Sequence, residues 1–281
     1  MRIPLRTLLP RSIYPAVLCL ALATLAACAR PTETARIPAD FTAAKEIWTR
    51  FMNASARTEA ASGPFRMNGT LYYSGNEESQ RVLVYFWGNG DKEAPLPLRL
   101  DILMGQGSVM AAVNEDSRGL FIHVPQDKAV YYAADNNLLA FDVPVPFSLA
   151  DLAALVTGCY SPLFASPDRK TAPPLRNAAQ GEDGTIMYTI ADAPLAGKIS
   201  IDANGLPHTW TDGKDWTLTI EYWPDSTRPI PRKLHMQHTG GRQAMLIVRT
   251  LEHTEPFTSE QLQLTVPPET PLILLRPDSK R

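Results

Sequence analysis

Apolar residues recur at every second position through most of this chain, and that period restricts it to a sheet-dominated fold. Phe65, Met67, Gly69, Leu71 and Tyr73 alternate with other residues, as do Leu98, Leu100 and Ile102, and then Val109, Ala111 and Val113. Alternation resumes in "GTIMYTIA", "GKISID", "LPHTW", "WTLTIEYW", "PRKLHMQHT", "AMLIVRTLE" and "LQLTV". Turns such as "SGNEES", "WGNGDKEAP" and "NEDSRG" are short enough to join antiparallel neighbours. The stretch "RVLVYFW" is apolar on both faces, so both sides need cover, either from helices and something greasy or from two ordinary protein layers.

Two stretches depart from that period. From Asp40, a good N-cap, Phe41, Ala44, Ile47, Trp48, Phe51 and Met52 recur at helical spacing, which predicts an amphipathic helix of about four turns. In "VPVPFSLADLAALVTGCY", Ser148 with Asp151 makes a capping box, Leu149, Leu152, Ala153, Leu155 and Val156 make an apolar face, and Gly158 supplies a left-handed stop. The sum is roughly eleven strands and two main helices, an antiparallel α+β domain. No repeat of fixed period occurs, which excludes solenoids and propellers.

The N-terminus carries a different signal. Arg2, Arg6 and Arg11 precede the mostly apolar run Ile13 to Leu25, which is shorter than the ~20 residues a bilayer-crossing helix needs. A basic head, a short apolar middle and small residues at the end make residues 1–27 a secretory signal. The ending Leu25-Ala26-Ala27-Cys28 resembles the lipobox of bacterial lipoproteins, which implies that Cys28 is alkylated by diacylglycerol and becomes the mature N-terminus. Cleavage after Ala-x-Ala, with Cys28 as a spare thiol, is the other reading. Residues 28–39 are then the lipidated N-terminus and a flexible, proline-bearing tether, and 40–281 a single domain. Two or three acyl chains hold a protein on membrane lipid durably. Ala29, not aspartate, follows the cysteine, which under the usual sorting rule implies the periplasmic face of the bacterial outer membrane.

Removing the three signal arginines from 27 basic residues leaves 24 against 29 acidic ones, a net charge of −5 that offers no basic patch for nucleic acid. Cys19 leaves with the signal and Cys28 carries lipid, so Cys159 has no partner for a disulfide within the mature chain and reads as a small buried hydrophobe. Chemistry is equally sparse. His123, His208, His235, His238 and His253 form no helical metal pair, and His235 and His238, three apart on a strand, face opposite sides. "GQGSV" fails the nucleophile-elbow pattern, and no phosphate-binding or dinucleotide fingerprint occurs. The expectation is a protein that is not an enzyme and needs no metal or cofactor.

In its order of parts the chain resembles the LolA/LolB superfamily, nearest to the lipid-anchored outer-membrane receptors of the LolB branch. The stretches that carry the resemblance are the lipobox, the early amphipathic helix, "RLDILMGQGSVMAAV", "VPVPFSLADLAALVTG" and "DGKDWTLTIEYW…IPRKLHMQHTGGRQAMLIV". The resemblance implies an incomplete β-barrel closed by short helices around an apolar cavity that takes acyl chains of lipoproteins or lipids. It also implies a membrane-facing loop with an apolar residue before a glycine, here Met104 before Gly105, with Leu103 beside it. The other reading has Met104 end a strand and tuck under the sheet.

By alternation, the cavity lining is Val84, Phe86, Leu100, Ile102, Trp216, Leu218, Ile220, Met245 and Ile247, with Leu152 and Leu155 from the closing helix. Alternation alone does not tell the cavity face from the core face. The loop at 166–184 and the C-terminal stretch "EPFTSEQLQLTVPPETPLILLRPDSKR" are additions to the pattern. The function implied is that of a monomer handling lipid or lipoprotein, with a periplasmic carrier protein as a candidate partner. The alternative is a non-catalytic scaffold or assembly lipoprotein that uses the same fold to hold a protein partner.

Overall fold

The structure, a computed structural model, describes residues 39–61, 63–75, 79–89, 97–134, 138, 146–164, 178–191, 193–224 and 230–275. These lie within one compact unit, Ile37–Arg281. The expected signal, Cys28, nearly all of the tether and residues 166–177 of the expected loop lie outside the described residues. No helix among the described residues is long and apolar enough to cross a membrane.

Helix α1 (Phe41–Ala61) precedes six strands: β1 (Phe65–Ser74), β2 (Ser79–Gly88), β3 (Leu98–Leu103), β4 (Val109–Asp116), β5 (Gly119–Val124) and β6 (Ala129–Ala133). Helices α2 (Leu149–Thr157) and α3 (Ser161–Phe164) follow. The second run of strands is β7 (Ala179–Gln180), β8 (Ile186–Ile190), β9 (Gly197–Ile201), β10 (Pro207–Thr211), β11 (Trp216–Tyr222), β12 (Pro231–His238) and β13 (Gln243–His253). Helix α4 (Ser259–Leu262) and β14 (Leu272–Leu274) end the described chain. All the strands join in one open, curved sheet in the order β14-β6-β5-β4-β3-β2-β1-β13-β12-β11-β10-β9-β8-β7. The pairings are antiparallel except that of β14 with β6. The junction of the two runs is the long β1–β13 ladder, with a bulge at Asn68/Gly69.

The α+β reading and the half-barrel agree with this sheet, which has fourteen strands among the described residues where about eleven were expected. The additions are β5, β6, β7 and β14. In "GLFIHV" and "AVYYA" apolar side chains stand on both faces, so a period-two search finds no phase there, and β7 is two residues long. "LQLTV", an expected strand, holds the end of α4 and irregular chain. Thr258 and Gln261 form a capping box that turns this segment into a short helix instead.

Helices α1, α2 and α3 pack on one face of the sheet, here the inner face. Helix α1 starts where Asp40 Oδ1 accepts from the Thr42 amide at 2.7 Å. It runs 21 residues, longer than expected. Ala44, Ile47, Trp48 and Phe51 are buried, whereas Phe41, expected on that stripe, is 62% exposed. The β9–β10 turn closes against the middle of α1. Gly205 there has φ +86, and a Cβ on it would lie 2.6 Å from the Phe51 amide nitrogen, so only glycine fits. The expected caps of α2 are present: Ser148 and Asp151 bond each other's backbone amides, and Gly158 has φ 79.

Residues 254–275 strap the outer face. Asn89 holds Phe257 by a pair of hydrogen bonds, from Asn89 Nδ2 to the Phe257 carbonyl and from the Phe257 amide to Asn89 Oδ1. Trp87 Nε1, Asn114 Nδ2 and Arg99 donate to the carbonyls of Gln261, Leu262 and Gln263. Phe257 and Leu262 are the strap's two buried side chains among the described residues.

Candidate ligand cavity and apolar hairpin

The register decides which face each candidate occupies. On β2, Val84 and Phe86 stand opposite Ile102 and Leu100 of β3, and Leu100 and Val113 of β4 are partners. In the other half Leu218 stands opposite Met236 and Ile220 opposite Leu234, and Leu234 pairs with Leu246. Through Leu246–Leu71–Val82 the two sets share the inner face. Val84, Phe86, Leu100, Trp216, Leu218 and Ile220 are buried there, and Ile102 is partly exposed.

Met245 and Ile247 do not join them. They pair with Tyr72 and Thr70, whose next partners are Arg81 and Leu83, and so they face outward. The run "AMLIV" is apolar on both faces, and alternation cannot set its phase. Ala244, Leu246 and Val248 take the inner positions.

Helix α2 spans the inner face, touching both β3 and β12. Leu155 is fully buried, whereas Leu152 and Ala153 keep partial exposure. Toward the end of the sheet that carries the β3–β4 turn, Leu71, Ile102, Ala111 and Val124 also keep partial exposure. Over β8–β11 the inner face is filled instead: Trp48 packs on Tyr188 with ring centroids 5.0 Å apart and on Phe51 at 5.2 Å. The Tyr188 hydroxyl donates to the Ala44 carbonyl at 2.7 Å. Tyr222 donates to the Pro207 carbonyl and is hydrogen-bonded to Tyr160. Burial pushes the phenols of both rings up, so they stay neutral.

The β3–β4 connection is an apolar hairpin tip. The Met104 amide donates to the Ser108 carbonyl at 2.9 Å and the Gly107 amide to the Met104 carbonyl at 2.8 Å, with Gly107 at φ +82. Met104 is 54% exposed and Val109 42%, and Leu103, opposite Val109, is partly exposed.

An ionisable group of the sheet touches the closing helix. Glu115, at the inner end of β4, is buried and accepts from the Leu149 amide at 2.6 Å. Burial raises its carboxyl to about 7, opposed by the hydrogen bonds from Leu149 and Ala150 and reinforced by Asp151 nearby. The sequence reading places Glu115 with Asp91 and Asp116 among solvated turn carboxylates, because a glutamate before a turn looks like any other, and its burial corrects that. The sequence reading missed a polar cleft of about 390 Å³ lined by Arg50, Asn53, Arg57, Ala203 and Asn204. Among the described residues no group of three or more His, Cys, Asp or Glu is placed to hold a metal, and Cys159 is buried.

No protein-family model matches the chain, and no curated protein sequence matches it. Solved structures do. A LolA superfamily protein from Nitrosomonas europaea superposes with a TM-score of 0.51 at 12% identity, over 77% of this chain and 96% of that one. A DUF1329 family protein from Desulfovibrio piger gives 0.50 at 8% identity, over 77% and 97%. An outer membrane lipoprotein-sorting protein domain from Vibrio parahaemolyticus gives 0.46 at 10% identity, over 76% and 96%. Identities this low speak for architecture alone. What the chain shares with the first two is the fold: it is built as a LolA-like open barrel.

Proposed function

We propose that this protein is a lipid-anchored receptor or transfer protein on the periplasmic face of the outer membrane, taking acyl chains of lipoproteins or lipids on its inner face. It acts by binding and catalyses no reaction. Cys28 carries the anchor and residues 29–39 form the leash. The observation that supports this most is the apolar surface that the inner face leaves partly exposed at Leu71, Ile102, Ala111 and Val124, with Leu152 of α2. Each Å2 of acyl chain withdrawn from water there contributes about 25 cal/mol. The exposed Met104 tip is the membrane-facing part that releases cargo.

The test is saturable binding of a fluorescent acyl probe to the protein, at about one per chain. Leu155 is fully buried, so a bulkier residue there tests packing, where overpacking costs about 1–3 kcal/mol. Leu152→Trp is the better probe: it should weaken acyl binding while leaving the melting transition nearly unchanged. Absence of binding in the wild-type protein would sink the reading. A scaffold that holds a protein partner is then the alternative, and the dense aromatic filling over β8–β11 is the observation in its favour.

A further inference from the structure

The outer face of the sheet has an apolar patch beside the strap. Cross-strand partners run in one row, Lys233, Ile247, Thr70, Leu83, Leu103 and Val109, across β12, β13, β1, β2, β3 and β4. The adjoining rows bring Met245 and Tyr72 on one side and Tyr85 on the other. Thr70, inside this layer, is 2% exposed, because its neighbours close over it. Those neighbours keep partial exposure, and Tyr85 reaches 39%. An antiparallel sheet with one face on the core ordinarily turns polar side chains outward. A contiguous apolar patch in that position marks a contact surface.

The chemistry around the patch selects its occupant. The Arg81 guanidinium lies over the Tyr72 ring, 5.8 Å from its centroid. His235 stands opposite Met245, and beyond Ile247 the row passes through Lys233 to Glu221 of β11. Among the described residues, Glu221 is shared by Lys233 and Arg232, two cations to one carboxylate, and Asp101 is paired with Arg99. Aliphatic side chains with tyrosines and a cationic margin match the headgroup layer of an anionic bilayer. The row also runs, across the bulge between Ile102 and Leu103, into the exposed hairpin, which joins patch and tip into one surface.

We infer that this outer patch is a bilayer-contact face, so that the protein lies with its sheet along an anionic lipid surface and does not meet it by the Met104 tip alone. The inference rests on the membrane-facing reading of the hairpin. In this pose the inner face looks away from the patch, and cargo reaches the membrane around the edge of the hairpin.

The test uses the full lipidated chain in vesicles of phosphatidylethanolamine and phosphatidylglycerol with brominated acyl chains. Three variants, Leu83→Cys, Met104→Cys and Lys45→Cys, carry an environment-sensitive fluorophore; Lys45 is exposed on α1, on the inner side. The expected result is quenching severalfold stronger at positions 83 and 104 than at 45, with the position 83 signal falling when phosphatidylcholine replaces phosphatidylglycerol. Quenching at 104 with position 83 no different from 45 would overturn the outer patch and leave the hairpin reading standing. No quenching at 104 or 83 overturns both. A position 83 label shielded without vesicles, in protein of doubled mass, makes the patch a contact between copies and overturns its role against lipid.

Discussion

The two runs of strands differ in what fills their inner faces. Over β8–β11 the filling is aromatic and closed: Trp48, Phe51, Tyr160, Phe164, Tyr188 and Trp210 are all buried, and the Phe147 and Trp210 rings lie 6.1 Å apart. Over β2–β5 it is largely aliphatic, from Val82, Val84, Leu98, Leu100, Val113 and Ile122, and it stops short of the hairpin end, where Ile102, Ala111 and Val124 stay partly exposed. The same backbone thus supports a region that stabilises the fold and a region whose apolar surface is left for something else.

That contrast breaks most easily at α1. Phe51→Ala should cost about 3–5 kcal/mol, because it opens a cavity under two aromatic neighbours. Ile102→Ala, losing a side chain already part in water, should cost about 1 kcal/mol. Urea denaturation of both variants measures the difference. Equal costs would mean that the hairpin end is packed as tightly as the aromatic one, which removes the space the proposed ligand requires.

The strap sharpens the comparison on the outer face. It is tied to the sheet by its own carbonyls and by two buried side chains. Leu262→Ala should therefore cost about 2 kcal/mol, the low end for a buried leucine, and the loss should be local. Amide exchange should quicken in 254–275 while β8–β13 keep their protection. Global unfolding at lowered temperature, without a local opening, would make the strap part of the main core.

Legibility in the sequence followed the same division. Helix α2 was readable to its ends because Ser148, Asp151 and Gly158 act through their own backbone neighbours. Strands with one polar face, such as β8 and β11, were readable from alternation. Strands with two apolar faces were not: β5 and β6 escaped, and β13 was assigned the wrong inward set, Met245 and Ile247, because its phase is fixed by pairing with β1. The strap escaped too, since a segment held by side chains from distant strands shows no period of its own.

The remaining expected effect, one seen only as a pH dependence, concerns Glu115, where the two runs of strands meet through α2. Its folded-state carboxyl, raised to about 7 from 4.5, holds a proton that the unfolded chain has already released. Between those values the native state therefore binds more protons, and stability falls as pH rises. The contribution is fully present below about pH 4.5 and gone above about pH 7, opposite to the trend of a salt-bridged carboxylate. Glu115→Gln stays neutral throughout and keeps an acceptor for the Leu149 amide. The melting temperature of the variant minus that of the wild type should thus grow with pH across this window, by up to several degrees. A difference that stays flat from pH 4.5 to 7 would mean that the carboxylate is already ionised against the amides of α2, and that the helix, not burial, sets its charge.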